Sequence, residues 1–329
     1  MSLIPDVAPV DLAARSSVGA GAHTRLENQD NFLTIDTEGM ACYLVGQQES
    51  RRQVSGWPQG HVRVAVLDGM GGHGHGREAA EAVVAGLLYL PAISNLETLE
   101  HALDALHTEL QRAFAVEPGR RPGTTLTLLE IPPGRAALLY HVGDSRLYAI
   151  GADAIAPLTI DHVPATVFAM DGAIDQQEWW EQVHGEHRPQ ISQAFMLGNA
   201  FANPALLAND LFPLTQHNLP SWLAPLADRR VLVLQEGVTY VLASDGFWSC
   251  PHAQAWMARW PALVAASTDA RAVVDALFAE ISARPPAGLH PDNLTAVALR
   301  LTPRRVALAD DTALPQDLLE PHSERNHAK

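Results

Sequence analysis

Hydrophobic and polar positions along this chain change in short blocks, and most blocks are too short for helices. Residues 62–67 (VRVAVL) are apolar except at Arg63 and rich in valine, which predicts a buried strand. Mixed apolar runs predict further strands over 10–20, 31–36 and 40–46, and 47–60 (QQESRRQVSGWPQG) reads as a polar loop. Residues 77–90 and 96–114 instead carry apolar side chains at helical spacing among strong helix formers. After an EPGRRPG loop, 124–131 and 136–143 predict a β-hairpin turned by Pro132, Pro133 and Gly134, and 141–150 a strand, turn and strand.

Regular alternation fades over 161–220, where only 176–183 suggests a short helix. Long irregular segments in compact enzymes are often lids or binding loops, so this stretch is read as a flap. Beyond it, 231–234 and 238–244 predict a second hairpin, 252–260 and 268–282 helices, and 293–301 a final strand. Residues 303–329 mix prolines with charges and read as a flexible tail. Strands at the start, middle and end, with helices between and no internal repeat, predict antiparallel sheet covered by helices. The expectation is one domain over 1–302.

Composition narrows the function classes. A chain of 329 residues, 47% hydrophobic with mean hydropathy near zero, can bury a sizeable core. A formal charge of −15 argues against non-specific nucleic-acid binding and against an anionic membrane surface. Cys42 and Cys250 make neither a disulfide framework nor a zinc site, which suits a reducing compartment. The opening MSLIPDVAPVDL has no export-signal pattern, and the longest apolar run, 82–93, is too short for a bilayer and contains a proline. A cytoplasmic protein is expected.

The densest chemistry lies in HVRVAVLDGMGGHGHG, residues 61–76. A strand ends there on Asp68, followed by five glycines interleaved with Met70, His73 and His75. Glycines let main-chain carbonyls approach a ligand, and a carboxylate beside exposed carbonyls suits magnesium or manganese. Gly69, Gly71 and Gly74 also satisfy the G-x-G-x-x-G dinucleotide pattern. Asp68 would face a pyrophosphate unfavourably, however, and a second helix follows where a βαβ unit needs a strand. A ligand-free glycine turn stays open until other carboxylates are found. Asp245 and Asp292 also stand at strand boundaries, and Asp30 precedes a strand. Singly these are turn residues. Converging on one sheet end, they would repel one another unless cations neutralised them, as in a two-metal site.

Seven strings then occur in order: RLENQD, DGMGGH, PGTTLTLL, HVGDSR, LTIDH, ASDGFW and DNLTAVAL. From about residue 15 to 302 the chain resembles the metal-dependent Ser/Thr protein phosphatases, the type 2C or PPM family, in its compact bacterial form. The resemblance implies an α+β fold, a four-layer α-β-β-α sandwich of two antiparallel sheets flanked by helices, with a metal centre at one end. It implies hydrolysis of phosphoserine and phosphothreonine by water bridging two Mn2+ or Mg2+ ions. By the same resemblance Asp68 matches the carboxylate bridging the ions, and Gly69 a carbonyl ligand of the first. Asp245 and Asp292 match ligands of the second ion. Arg25 matches the arginine that grips phosphate through a bidentate fork, and Asp30 the acid that holds a water on the metal. Phosphorylated proteins, an opposing Ser/Thr kinase and a monomer are the implied partners and state.

Several positions depart from the family pattern. Gln29 stands where many members carry a glutamate that helps hold the second metal, and Met70 where eukaryotic relatives present a histidine proposed as general acid. A third, weaker ion uses an acid three residues before the GTT glycine and, in some members, another four after the DG aspartate. Here those positions are Arg120 and Ser249, so the third site is expected to be empty, with Glu117 a substitute only if its loop bends back. Asp144 is expected to fix a turn with Arg146 as its partner, and Asp161 with His162 to serve structure. Thr124 and Thr125 are expected in a core strand near the site, and Trp179 and Trp180 buried under the flap. His73 and His75 are read as solvated. The alternative function is a catalytically silent relative that binds or senses.

Overall fold

The computed structural model describes residues 10–71, 75–114, 121–185, 190–201, 203 and 206–301. Two antiparallel sheets form its centre. One runs β1 (Val10–Ser17), β12 (Leu294–Leu301), β11 (Thr239–Ala243), β8 (Arg146–Ile150) and β9 (Ile155–Pro157). The other runs β10 (Arg229–Leu232), β7 (Ala137–Val142), β6 (Leu126–Ile131), β5 (Val62–Leu67), β2 (Asn31–Ile35), β3 (Met40–Val45) and β4 (Gln48–Gln53).

Side-chain alternation along the strands builds the layers. On β5, Val62, Val64 and Val66 join Leu147, Leu242, Val297 and Leu299 between the sheets. Its Ala65 and Leu67 face the other way, towards helices α1 (His75–Tyr89) and α2 (Leu96–Phe114). Ala296 and Ala298 on β12 similarly face α5 (Ala253–Met257), α6 (Trp260–Ala265) and α7 (Ala270–Ala283). This is the expected four-layer α-β-β-α sandwich. Central strands buried on both faces explain why 62–67 reads as an apolar block.

Three sequence expectations need correction. Residues 48–53, read as loop, form edge strand β4, paired with β3 from Met40↔Gln53 to Val45↔Gln48. Its side chains are mostly exposed, so backbone pairing rather than burial defines it and no hydrophobic pattern announces it. The stretches 231–234 and 238–244 are not a hairpin: β10 pairs with β7 and β11 with β8 and β12, so the chain crosses between sheets. The helix expected over 252–260 stops at Met257, and a separate helix starts at Trp260 with Pro261 in its first turn.

The flap contains α3 (Pro164–Met170), α4 (Gln176–Trp180) and a π-turn (Glu181–Gly185) around its own small core. Ile160, Trp179, Leu214 and Leu223 belong to that core. Trp179 is buried as expected, whereas Trp180 is 41% exposed. Among the described residues no helix is long and apolar enough to cross a membrane. The tail, His73, Glu117 and Arg120 lie outside the described residues.

Candidate metal and phosphate site

At one end of the sandwich a cavity of about 640 Å³ is lined by Asp68, Asp144, Asp245 and Asp292, with Arg25 and Gly69. Each acid arrives by a different route. Asp68 follows β5, and its amide donates to Thr125 Oγ1 at 2.9 Å while the Thr125 amide donates to the Asp68 carbonyl at 2.8 Å. Thr125 Oγ1 is itself 2.7 Å from Ser145 Oγ. Gly69 packs so tightly that a Cβ would sit 2.3 Å from the Gly76 carbonyl oxygen and 2.4 Å from that of Gln29. Glycine is therefore required for that backbone to reach the cavity.

Asp245 opens a 3₁₀ turn after β11, and the Ser249 hydroxyl donates to its carbonyl (3.0 Å) and its Oδ2 (3.2 Å). At Gly246 a Cβ would lie 2.0 Å from the Asn293 carbonyl, so this turn and the start of β12 touch backbone to backbone. Asp292 precedes β12, and its Oδ1 accepts from Arg25 Nη2 at 3.1 Å. Arg25 keeps about half its side chain exposed at the cavity mouth.

The loop carrying Arg25 and Gln29 is stitched to β12 by Asn293. Its Oδ1 accepts from the Gln29 amide at 2.8 Å, and its Nδ2 donates to the Glu27 carbonyl at 2.9 Å. Arg77 adds a 2.7 Å ion pair from α1 to Glu27. Gln29 lines the cavity. Asp30 lies behind the lining, 3% exposed, its Oδ2 accepting from Ser244 Oγ at 2.7 Å.

Electrostatically the site is crowded with one sign of charge. Burial, then Asp30, Asp245, Asp292 and Asp144, push the Asp68 carboxyl well above the usual range. Burial and then Asp245 raise Asp144 in the same way. Burial and then Asp292 raise Asp245 to about 6. For Asp30, burial outweighs hydrogen bonds from Ser244 and Thr295, and Asp292 and Asp245 add to it, giving about 7. Divalent cations would relieve this repulsion, and the all-oxygen donor set suits hard ions. Among the described residues no three His, Cys, Asp or Glu side chains form a ready-made cage. That is compatible with Mg2+ or Mn2+, since magnesium binds through one or two carboxylates and keeps several waters.

Some placements differ from the sequence reading. Arg146 does not partner Asp144: it donates to Asp161 through Nε (2.9 Å) and Nη2 (2.7 Å), and to the Val183 carbonyl at 2.8 Å. A local spacing of two residues suggested the first pair, but Arg146 is drawn to the flap by the buried Asp161 carboxylate and the Val183 carbonyl. Asp144 is left lining the cavity. His162 bonds Asp228 at 3.1 Å, a structural role. His75 pairs with Glu78 at the start of α1. Asn293, Ser145 and Ser244 were overlooked, although all three sit inside or beside quoted strings.

A family model described as protein phosphatase 2C matches residues 48–277, a span that omits Arg25, Asp30 and Asp292. The serine/threonine protein phosphatase PstP of Mycobacterium tuberculosis is 32% identical over 120 residues, 35% of this chain and 23% of that protein. The match thus spans about a quarter of that relative's length. The structure of the S. agalactiae serine/threonine phosphatase superposes with a TM-score of 0.61 at 20% identity, covering 89% of this chain and 100% of that one. The PstP catalytic domain in complex with two manganese ions gives 0.55 at 22% identity, covering 89% and 99%. At these identities the superpositions establish the fold. Because the family match takes in well over half of its residues, the chain belongs to the protein phosphatase 2C family.

Proposed function

We propose that this protein is a metal-dependent phosphatase acting on phosphoserine and phosphothreonine in proteins. The observation that carries the reading is the convergence of Asp68, Asp144, Asp245 and Asp292 on one cavity with Arg25 at its mouth. In the proposed arrangement Asp68, the Gly69 carbonyl, Asp245 and Asp292 hold two Mn2+ or Mg2+ ions, as the manganese complex of PstP suggests. When bound, the ions would lower the pKa of a water and neutralise charge developing on the phosphoryl group.

The chain's own groups supply the rest. Arg25 presents a planar fork to two phosphoryl oxygens and orients the phosphorus for in-line attack. Asp30, held by Ser244 just behind the lining, is in this reading the acid that holds a water of the metal centre. Water oxygen bonds to phosphorus as the bond to the serine or threonine oxygen breaks, giving the free hydroxyl and inorganic phosphate. Met70 lines the cavity and offers no proton, so the leaving oxygen draws its proton from elsewhere.

The third metal position is proposed to be empty, because the Ser249 hydroxyl caps Asp245 where some members carry an acid. Such substrates are made by Ser/Thr kinases, so a kinase of that class is the opposing enzyme. A monomer in the cytoplasm is the accompanying proposal, and the two unpaired cysteines suit the reducing compartment it names. The test is hydrolysis of p-nitrophenyl phosphate and of a phosphothreonine peptide with millimolar Mn2+, with Mg2+, and with EDTA. Metal-dependent turnover well above that of Asp245→Asn is expected. Equal rates in all conditions would instead favour the catalytically silent reading.

A further inference from the structure

The turn between β7 and β8 that brings Asp144 to the cavity is held from behind by a histidine. Gly143 and His162 exchange two hydrogen bonds. The Gly143 amide donates to His162 Nδ1 at 2.7 Å, and the His162 amide donates to the Gly143 carbonyl at 2.9 Å. Glycine is required in this turn: its φ is +117°, and a Cβ would lie 2.5 Å from Thr125 Cγ2. On the other side of Asp144, Ser145 Oγ meets Thr125 Oγ1, the atom that accepts from the Asp68 amide. Asp144 is thus pinned on both flanks, and one of the pins is an imidazole.

The direction of these bonds fixes the state of the ring. An amide only donates, so Nδ1 bears a lone pair and the ring proton sits on Nε2. That proton faces Asp228 Oδ2 at 3.1 Å, an atom that also accepts from the Leu214 amide at 2.9 Å. His141 stacks on the ring, with centroids 5.2 Å apart and planes 13° apart, and its amide donates to the Asp228 carbonyl at 2.9 Å. His141, His162 and Asp228 are all fully buried. Turning the ring over or moving its proton would strand a buried polar group.

Fastening the flap would need only the bond to Asp228. Nδ1 is instead spent on the amide of the residue that precedes Asp144. The Asp144 carboxyl lines the cavity proposed for the metals and stands close enough to Asp68 and Asp245 for charge to couple them. Groups that orient the acids around a metal are typically worth about 10–100-fold in its affinity.

We propose that His162 is a positioning residue: with Asp228 fixing its tautomer, its Nδ1 holds the Gly143 amide and so aims the Asp144 carboxylate into the cavity. The inference rests on the phosphatase reading and adds to it a residue that acts through Asp144 without touching metal or substrate.

The test measures Mn2+ affinity by calorimetry and kcat/KM on p-nitrophenyl phosphate, with folding checked by thermal unfolding in EDTA. Asparagine carries an acceptor where Nδ1 stands, and glutamine a donor near the place of Nε2. His162→Gln should weaken Mn2+ binding and lower kcat/KM by about tenfold. His162→Asn should stay close to wild type in both, although it gives up the tie to Asp228. Asp144→Asn should weaken Mn2+ binding as His162→Gln does, and combining the two should change little more, because residues acting through one another are not additive. An undiminished Mn2+ affinity in Asp144→Asn, a loss in His162→Asn as large as in Asp144→Asn, or full additivity in the double variant overturns the role. The first two of these outcomes stand even if His162→Gln does not fold. If the wild-type protein binds Mn2+ but leaves p-nitrophenyl phosphate intact, the phosphatase reading fails and the binding series alone judges His162. If it binds no Mn2+, both fail.

Discussion

Asp68 and Thr125 hold each other through two hydrogen bonds, the Asp68 amide to Thr125 Oγ1 at 2.9 Å and the Thr125 amide to the Asp68 carbonyl at 2.8 Å. The pair fixes the direction in which the Asp68 carboxylate leaves β5. Thr125→Val keeps the shape, removes the acceptor and strands a backbone N–H. A stability loss of about 1–3 kcal/mol is expected, together with lower activity as the carboxylate loses its aim. Denaturant unfolding and a phosphatase assay measure both. Undiminished stability would show that water replaces the hydroxyl.

Asp68→Asn and Asp245→Asn should each lower metal-dependent turnover by about a hundredfold or more, because each removes an anionic donor from the proposed centre. Both proteins should remain folded by circular dichroism. Near-normal kcat in either variant would remove that residue from the site.

Arg25 sits at the mouth, its Nη2 donating to Asp292 at 3.1 Å. Arg25→Ala should raise KM more than it lowers kcat, since the fork contacts phosphate in ground and transition states alike. Lysine should not restore the wild-type value, because an ammonium cannot make the paired contact. Steady-state kinetics on a phosphopeptide decide the matter, and an unchanged KM in the alanine variant would refute the role.

Chelation should expose the repulsion among the acids. Asp30 is raised to about 7 and Asp245 to about 6, so the fold favours their protonated forms. The stabilisation from those protons is complete below the ordinary carboxylate value near 3.8 and is lost as pH rises through 6 to 7. In EDTA, Tm should therefore fall between pH 5 and pH 7.5, and Mn2+ should raise Tm more at the higher pH. An equal gain at both pH values would contradict the coupling.

Glu130 tests the distant end of the sandwich. Burial pushes its carboxyl up, but His61 and Arg63 outweigh that and hold it below the usual 4.5. Its depressed value means that its contribution is complete above 4.5 and is lost as pH falls below it. Arg63 is fully buried and donates to Glu130 at 2.6 Å, so Glu130→Gln leaves a buried cation poorly matched, at a cost of about 3–5 kcal/mol near neutrality. The gap in Tm from wild type should narrow in acid. A gap independent of pH would mean that packing, not charge, is what Glu130 supplies.

The layered α+β architecture and most of the acidic positions were legible in the sequence. Strands buried on both faces leave apolar blocks, and a carboxylate beside glycine at a strand end is a local pattern. What escaped is what side-chain pattern does not encode. Edge strand β4 is specified by backbone pairing, and β10 and β11 part company because sheet membership depends on partners far away in the chain. Asn293 looked like the first residue of a strand, yet its amide ties the Arg25 loop to β12 across more than 260 positions. Arg146 looked like a neighbour of Asp144, and only the fold brings Asp161 to it. Local chemistry fixes which residues can act, whereas convergence is long-range geometry: the sequence determined Asp68, Asp245 and Asp292 as candidates, and tertiary packing decided that they face one cavity together with Asp144, with Asp30 behind its lining.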